Sequence, residues 1–271
     1  MHWPAEDLWL AIAPLVPGFS VEVLPTIDST NTELMRRARA GQTDPVLLVA
    51  EQQTAGRGRL GRPWQSQAGD SLTFSLGMNL APADWSGLSL AIGWAITHAL
   101  DPERQLGLGL KWPNDLWVMG ASSAGPRKLA GILVETASAA GGPAGPSPTR
   151  YCVMGVGINL KAPAATDNPI APIGLLELDT QWTPARVLQH LAQPLVEAVL
   201  AFDRQGFAPF QASFQARDVL RGQAVTLSDG QQGVAQGVNA KGELLLAQGD
   251  RLVKVNSSEV SVRPSAREVR G

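Results

Sequence analysis

The sequence is poor in the residues that build disulfide frameworks and metal clusters. Its 271 residues include one cysteine, Cys152, and three histidines, His2, His98 and His190. A single cysteine cannot form an intrachain disulfide, and the histidines do not have the spacing of zinc ligands. We therefore expect no resident metal, no cysteine–histidine nucleophile pair and a reducing, cytoplasmic location.

The chain also lacks a strong excess of charge and any long uninterrupted apolar segment. Its formal net charge is −2 and its pI is about 5.9, so no global field favours nucleic acid. The N-terminal stretch carries Glu6 and Asp7 instead of basic residues, and Pro14 and Pro17 interrupt the apolar residues that follow. This pattern predicts neither a signal peptide nor a membrane span. With 44% hydrophobic residues, the length suffices for one large domain and a small second one.

What the sequence does contain is a concentration of glycine and arginine in one short loop. Residues 56–62, Gly-Arg-Gly-Arg-Leu-Gly-Arg, lie between apolar, strand-like segments at 46–50 and 71–76. Glycines let successive backbone N–H groups converge on an anion, and arginines supply bidentate, permanently charged donors. We interpret the loop as a binding site for a phosphate or carboxylate. The alternatives are a solvated turn or a flexible RNA-binding tether, whereas the dinucleotide fingerprint and the Walker loop are both absent.

Four other segments combine polar residues or glycines with strand or helix ends. Asp28-Ser29-Thr30-Asn31 has the composition of a helix N-terminus, and a plain helix cap is the alternative to a site. Lys111-Trp112-Pro113-Asn114-Asp115 places a lysine at a strand exit, and Lys128 opens another apolar strand. A lysine beside a buried strand either snorkels to solvent or meets an anion. Gly155-Val156-Gly157 puts two glycines inside a strand, which indicates a bulge or a flat ligand lying against the backbone.

Hydrophobic periodicity predicts helices followed by a strand-rich tail. The predicted helices are residues 6–15, a segment from Ser29 or Thr30 to Gly41, 88–100, 184–202 and 207–216. The predicted strands before residue 184 are 20–24, 46–50, 71–76, 106–112, 116–119, 128–136 and 151–160. Beyond Asp218, short strands at 224–227, 233–238, 243–246 and 251–255 predict a small barrel of the SH3 or OB type. Gly/Ala/Ser/Pro runs at 120–126 and 138–148 predict hairpin tips without chemistry.

Taken in order, these segments resemble the motif set of the biotin protein ligases. The matching segments are 28–31, 53–64, 111–116, 128–135 and 155–159, and the tail from Asp218 is similar to the small C-terminal barrel of that family. The resemblance implies an α+β fold in residues 1–217, with a mixed central β-sheet flanked by helices, of the class II synthetase-like biotin/lipoate ligase type. Residues 218–271 would form an SH3-like β-barrel.

The resemblance also implies a two-step activity with ATP, biotin and Mg²⁺. Biotin carboxylate would attack the α-phosphate of ATP to give biotinyl-adenylate and pyrophosphate, and a lysine of a biotin carboxyl carrier protein would then take the acyl group. Both steps develop negative charge, so catalysis would depend on alignment and on preorganised cations instead of a covalent enzyme intermediate. The glycine–arginine loop is expected to be mobile when empty and to order over the intermediate.

The partners that the resemblance implies do not include DNA or a membrane. Family members that double as repressors carry an N-terminal helix-turn-helix domain, and about twenty residues precede the ligase-like core here. We therefore expect the monofunctional type of ligase, without that domain. The family includes monomers and dimers, which leaves a homodimer open.

The site residues that the resemblance implies form three overlapping sets. The catalytic set is Lys128, Arg57, Arg59, Lys111 and Asp115. The biotin-binding set is Ser29, Thr30, Asn31, Gln53, Gly56, Arg57, Arg59, Lys128, Gly131, Gly155 and Gly157. The ATP-binding set is Arg57, Arg59, Arg62, Trp64, Lys111, Asn114, Lys128 and Asn159. Lys128 would contact the biotin carboxyl and a phosphate together, and Asp115 would orient Lys111 or help to deprotonate the incoming lysine.

Three alternative functions stay open at this point. A lipoate protein ligase has the same two-step logic, but a dithiolane needs an apolar pocket where this chain has Ser29, Thr30 and Gln53. A non-catalytic protein that binds biotin or its carrier would have no use for so many phosphate-directed cations. A nucleic-acid module built on the C-terminal barrel is disfavoured, because residues 218–262 have few aromatic residues and mixed charge.

Overall fold

The computed structural model describes residues 2–119, 125–138, 149–164, 170–256 and 262–264. Its α-helices are α1 (Ala5–Ile12), α2 (Thr30–Arg39), α3 (Leu88–Leu100), α4 (Pro184–Gln205) and α5 (Gln211–Gln215). Its strands are β1 (Ser20–Ile27), β2 (Val46–Gln53), β3 (Ser71–Leu80), β4 (Leu108–Lys111), β5 (Asp115–Val118), β6 (Arg127–Ser138), β7 (Arg150–Asn159), β8 (Ala224–Leu227), β9 (Gln232–Val238), β10 (Leu244–Gln248), β11 (Arg251–Val255) and β12 (Val262–Pro264). The predicted hairpin tips fall largely outside the described residues.

The larger sheet is mixed, as the sequence predicts. Its seven strands lie in the order β1-β2-β3-β7-β6-β5-β4, with β1 and β2 parallel and every other neighbouring pair antiparallel. The register aligns Thr73 of β3 with Gly157 of β7, Gly157 with Gly131 of β6, and Gly131 with Asp115 of β5. A row of small or polar residues therefore crosses four neighbouring strands.

The two faces of this sheet are covered differently because successive strand residues point to opposite sides. On one face, Leu72, Phe74 and Leu76 join the main core, to which α1, α3 and α4 also contribute. On the other face, the α2 residues Leu34, Met35 and Ala38 form a smaller cluster with strand residues. Thr73 and Ser75, which alternate with the core residues of β3, are buried beneath this second face. The second face therefore offers polar groups where the first offers only apolar ones.

A second, smaller sheet follows α5. It is antiparallel, with five strands in the order β11-β10-β9-β8-β12. The chain enters it beside β4, where Leu110 N donates to Arg217 O at 2.8 Å and Val219 N donates to Leu110 O at 3.1 Å. The C-terminal β domain is thus attached to the edge of the larger sheet. The division at 217/218 stays a prediction.

Several predicted boundaries differ from the structure for identifiable reasons. Helix α1 ends at Ile12 and not at Leu15, because Pro14 has no N–H with which to continue the helical ladder. Strand β1 continues through Pro25 to Ile27, which is tolerated because β1 is an edge strand. The predicted helix at 207–216 is a 3₁₀ turn followed by the short α5, and β12 was not predicted.

No helix in the described ranges has the length and apolarity that a membrane crossing requires. The apolar helix α3 is instead buried within the main core, as predicted from its composition.

Candidate active site

A cavity of about 520 Å³ lies on the α2 side of the larger sheet. Of the residues that the sequence predicts for the site, all except Gly56 line it. These lining residues are Ser29, Thr30, Asn31, Gln53, Arg57, Arg59, Arg62, Trp64, Lys111, Asn114, Asp115, Lys128, Gly131, Gly155, Gly157 and Asn159. The folding of the chain therefore brings five separated segments to one cavity. Which ligand each residue contacts stays a prediction.

One end of the cavity, which we call the neutral end, is built from hydroxyl and amide groups. Gln53 Oε1 accepts hydrogen bonds from Thr30 N at 2.7 Å and Thr30 Oγ1 at 3.1 Å. Ser75 Oγ lies 2.7 Å from Thr30 Oγ1 and 2.6 Å from Asn31 Oδ1. All four side chains are buried. Ser29 caps α2 by accepting a hydrogen bond from Thr32 N, so the cap and the site coincide.

Beside the neutral end, a carboxylate that the sequence reasoning missed joins two predicted site residues. Glu135 Oε2 accepts from Asn31 Nδ2 at 3.0 Å and pairs with Arg57 Nη2 at 2.9 Å. Arg57 therefore has a protein carboxylate as its partner in this structure. Glu135 thereby connects the glycine–arginine loop to β6 and to the start of α2.

The glycine–arginine loop folds as a narrow hairpin over the cavity. Gly58 N donates to Arg62 O at 2.7 Å, and Trp64 N donates to Gly56 O at 2.8 Å. A Cβ on Gly56 would lie 2.5 Å from Trp64 O, so a glycine is needed for the close approach of the two strands of this hairpin. Gly56 therefore supports the loop from behind, and its predicted contact with biotin stays a prediction. At the tip, Leu60 and Gly61 have φ values of 56° and 71°.

The Trp64 indole lies flat against the glycines of the sheet. A Cβ on Gly157 would overlap the Trp64 ring, and a Cβ on Gly131 would lie 3.4 Å from it. A Cβ on Gly155 would likewise overlap the Asn31 amide. Gly155 and Gly157 of β7 therefore make room for protein side chains that form the cavity wall, and not only for a ligand.

The other end of the cavity, which we call the cationic end, collects lysines and arginines around one carboxylate. Lys128 Nζ pairs with Asp115 Oδ1 at 2.7 Å. Lys111 is only 6% exposed and its Nζ lies 5.8 Å from the centroid of a Trp117 ring. Arg59 Nη1 donates to Asn114 Oδ1 at 3.4 Å. Asp115 thus has Lys128 as its direct partner and lies opposite Lys111 in the pairing of β4 with β5, and its role toward Lys111 or the incoming lysine stays a prediction.

The electrostatics of this end depress the basicity of its buried cations. Burial, with smaller contributions from the neighbouring charges of Lys128, Arg59 and Arg62, lowers the pKa of Lys111 to about 8, while Asp115 opposes the shift. Burial also lowers the pKa of Arg59. Positive charge is therefore concentrated here at a desolvation cost that an anionic ligand would offset.

The two asparagines of the cationic end are oriented by backbone carbonyls. Asn114 Nδ2 donates to Ile132 O at 2.8 Å, and Asn159 Nδ2 donates to Ile173 O at 3.2 Å. The amide oxygens of Asn114 and Asn159 therefore point away from these two carbonyls. Across the described ranges, no three His, Cys, Asp or Glu side chains are grouped so as to hold a metal ion. Oxygen ligands for a cation would therefore have to come largely from a bound substrate.

Besides Glu135, the structure adds residues that the sequence reasoning did not select. Thr73 lines the cavity floor, Ser75 lies in the layer of side chains behind it, and Arg263 of β12 lines the cavity from the C-terminal sheet. The polar residues of β3 could have been noticed, because they alternate with apolar ones in the segment 71–76. Arg263 carries no such local signal, because only tertiary structure brings it to the site.

The mixed sheet and the small antiparallel C-terminal sheet together match the fold of the biotin protein ligases. The Biotin/lipoate A/B protein ligase family model matches residues 23–159, and the Biotin protein ligase C terminal domain matches residues 219–263. The chain belongs to the Biotin/lipoate A/B protein ligase family, on its biotin protein ligase branch, and is a ligase.

Individual relatives agree with this assignment. The chain is 32% identical to the biotin–[acetyl-CoA-carboxylase] ligase of Mycobacterium tuberculosis, over 89% of this chain and 88% of the relative. It is 34% identical to the bifunctional ligase/repressor BirA of Escherichia coli, over 91% of this chain and 75% of that protein. The biotin protein ligase of Aquifex aeolicus, solved in complex with biotin and ATP, superposes with a TM-score of 0.73 at 27% identity, covering 90% of this chain and 99% of that one.

Proposed function

We propose that the protein activates biotin with ATP and transfers it to a lysine of a biotin carboxyl carrier protein. The observation that carries this proposal is the division of a single cavity into two ends. Uncharged hydrogen-bonding groups suit a ureido ring, while Arg59, Lys111 and Lys128 suit a carboxylate and phosphates. A ligand with a neutral polar head and an anionic tail matches both ends.

At the neutral end, Thr30, Gln53 and Ser29 would hold the biotin head. Thr30 and Gln53 are already hydrogen-bonded to each other, and Ser29 Oγ accepts from Thr32 N, so little reorganisation is needed when the head binds. Gly131 of β6 is paired with Gly157 of β7, and the Trp64 indole packs against this pair, so the valeryl chain would run beside the indole. The carboxylate would then reach Lys128 on β6, which lies two strands beyond β3 in the order of the larger sheet.

In the adenylation step, a biotin carboxylate oxygen attacks the α-phosphorus of ATP, the bond to the bridging oxygen breaks, and pyrophosphate leaves. Lys128 and Arg59 would neutralise charge on the carboxylate and the α-phosphate, and Lys111 would contact the phosphates. The Trp64 indole would form one wall of the adenine pocket. We place Mg²⁺ with the incoming nucleotide, where Asn114, Asn159 and Asp115 could contact its waters, because Asp115 is the single acidic residue among the described lining residues.

In the transfer step, the neutral amine of the carrier lysine attacks the acyl carbon of the mixed anhydride, AMP leaves, and an amide bond forms. The amine must lose a proton, and Asp115 is the carboxylate in position to receive it. Since Asp115 is paired with Lys128 at 2.7 Å, it would act only when that pair loosens. We place this reaction in the cytoplasm, with the carrier protein as macromolecular partner.

Two measurements test the proposal. Biotin-dependent exchange of pyrophosphate into ATP reports adenylation alone. Mass spectrometry of a biotin carboxyl carrier domain, incubated with the protein, ATP, Mg²⁺ and biotin, reports transfer as one biotinyl adduct on the acceptor lysine. Adenylation without transfer would reject the carrier protein as partner, and absence of both would reject the proposal.

A parallel reaction with lipoate in place of biotin checks the nature of the acid. Thr30, Gln53 and Asn31 make the neutral end polar, whereas a dithiolane ring favours an apolar lining. We therefore expect exchange to depend on biotin and to be absent with lipoate. Equal exchange with both acids would contradict the assignment of the neutral end to a ureido ring.

A further inference from the structure

The hairpin that carries Lys111 and Asp115 is short. Strands β4 and β5 have four residues each, and the turn between them contains Trp112, Pro113 and Asn114. Both ends of this turn lie in the cavity, since Lys111 precedes it and Asp115 follows it. Strand β5 is held by its pairing with β6, and Asn114 exchanges hydrogen bonds with Ile132, whereas the turn residues Trp112 and Pro113 are held by contacts from outside this sheet.

One support comes from the C-terminal sheet. Trp112 is fully buried, and its Nε1 donates a hydrogen bond of 3.0 Å to the carbonyl of Gly242. Gly242 lies in the turn between β9 and β10, which Asn239 braces by accepting from Lys241 N at 2.9 Å and Glu243 N at 3.1 Å. The indole thus connects the cationic end of the cavity to a rigid turn of the other domain.

The same turn is packed tightly against the N-terminus of α3. A Cβ on Gly242 would lie 2.7 Å from the Cα of Gly87, a distance that backbone atoms could not accommodate without moving. From that helix terminus, Ser89 Oγ donates to Pro113 O at 2.9 Å. Trp112 and Pro113 are therefore held from two sides, by the turn at Gly242 and by α3.

We propose that Trp112 and the Gly242 turn form an interdomain strut that positions Lys111 and Asp115 for the nucleotide. In this assignment Trp112 is a positioning residue, because it acts through its neighbours and does not line the cavity. The inference rests on the proposed function, since it assigns Lys111 to the phosphates. It also gives the C-terminal β domain a role in ATP use that is separate from the neutral end, which has no contact with the strut.

The test compares two alanine substitutions at glycines of the same sheet. Gly242→Ala and Gly230→Ala both place a side chain at a positive φ, 79° and 89° respectively. A Cβ at Gly230 meets no atom within 4 Å, whereas at Gly242 it meets the Gly87 backbone. Both variants strain the backbone at a positive φ, but only Gly242→Ala adds a methyl group at the contact between the C-terminal sheet and α3.

The measurements are biotin affinity by calorimetry, Km and kcat for ATP in pyrophosphate exchange, and the unfolding temperature. We expect Gly242→Ala to lower kcat/KM for ATP by about 10- to 100-fold, because a displacement near 1 Å of aligned groups has that effect. Biotin affinity should stay within about twofold of the wild type, as should the biotin affinity and the ATP kinetics of Gly230→Ala, whereas the unfolding temperature should fall in both variants because they share the backbone strain. Equal effects in the two variants, or equal losses of ATP use and biotin affinity, would overturn the strut.

A second variant keeps the test valid if Gly242→Ala does not fold. Trp112→Phe retains an aromatic ring and removes the N–H donor, and we expect a reduction of about three- to tenfold in kcat/KM for ATP at unchanged biotin affinity. Wild-type kinetics in Trp112→Phe would overturn the strut. If the wild type itself shows no exchange, the proposed function fails separately, and calorimetric affinity for ATP in the same variants then decides the strut.

Discussion

The two ends of the cavity differ in how completely their polar groups are satisfied before any ligand binds. At the neutral end, Thr30, Gln53, Ser75 and Asn31 donate to and accept from one another. At the cationic end, Asp115 is the single carboxylate among the described lining residues that faces four cationic side chains. These are Arg59, Arg62, Lys111 and Lys128.

The difference indicates what each end does with a ligand. A completed hydrogen-bond network has a fixed shape, so it selects a ligand by geometry and rejects one that leaves a buried group unpaired. A cluster of cations that includes the buried Lys111 and the partly buried Arg59 and Lys128, with one carboxylate beside it, gains from any anion that enters. We therefore expect substitutions at the neutral end to change affinity for the acid, and substitutions at the cationic end to change the rate of adenylation.

The largest effect is expected for Lys128→Ala. Removing one preorganised cation at the reacting carboxylate and phosphate should slow pyrophosphate exchange by about 10²- to 10³-fold, with little change in biotin affinity. The control is Lys161→Ala, whose ammonium pairs with Asp70 at 2.6 Å on the surface and does not line the cavity. Wild-type exchange in Lys128→Ala would remove this lysine from the mechanism.

The second largest effect is expected for Gly157→Ala, at the place where the neutral end and the cationic end of the cavity meet. In Gly157→Ala the new methyl group would overlap the Trp64 ring and push it into the cavity, so exchange should fall by about 10²-fold and biotin affinity should fall with it. Gly77→Ala is the matched control, because its methyl group would overlap an aromatic ring of the same sheet, that of Tyr151, away from the cavity. In Gly77→Ala we expect a lower unfolding temperature with normal kinetics. The same result in Gly157→Ala would refute the role of the Trp64 ring as a wall common to the two ends of the cavity.

A smaller effect that acts on the neutral end alone is expected for Thr30→Val. The substitution keeps the shape of the side chain and removes the hydroxyl that donates to Gln53 Oε1, so biotin affinity should fall by about 10- to 30-fold at unchanged kcat. Thr97→Val removes another buried threonine hydroxyl, which donates to Trp94 O within α3, and serves as the control. A change in kcat without a change in affinity would contradict the division between the two ends.

The sequence predicts those features of the fold that local patterns determine. The apolar composition of α3 indicates a buried helix, and Ser29 marks the start of α2 through its capping group. The glycine–arginine segment is recognisable from composition alone because few loops need so much charge on so little side-chain volume. The strands of the small C-terminal sheet follow from their turn residues, since β8 and β11 have the predicted bounds.

The remaining features depend on residues far apart in the sequence. Glu135 binds Arg57 across 78 positions, and Trp112 reaches Gly242 across 130. No local pattern contains either pairing, because each depends on the order of strands in a sheet or on the docking of one domain. The ion pair of Asp115 with Lys128 could not be predicted for the same reason, since it depends on the antiparallel pairing of β5 with β6.

The smallest predicted effect uses pH to probe the cationic end without changing its shape. The pKa of Lys111 is lowered by burial to about 8, so its ammonium loses its charge as the pH rises through that value. We expect kcat/KM for ATP in pyrophosphate exchange to fall by about fourfold between about pH 7 and about pH 8.5, because this parameter reports groups of the free enzyme. Biotin affinity should stay level over this range, because the groups of the neutral end do not titrate there. Lys111→Arg keeps its charge throughout, so its profile should lack the alkaline decline even if its absolute rate is lower. A decline of equal size in Lys111→Arg would assign the titration to another group and leave Lys111 without a measurable charge role.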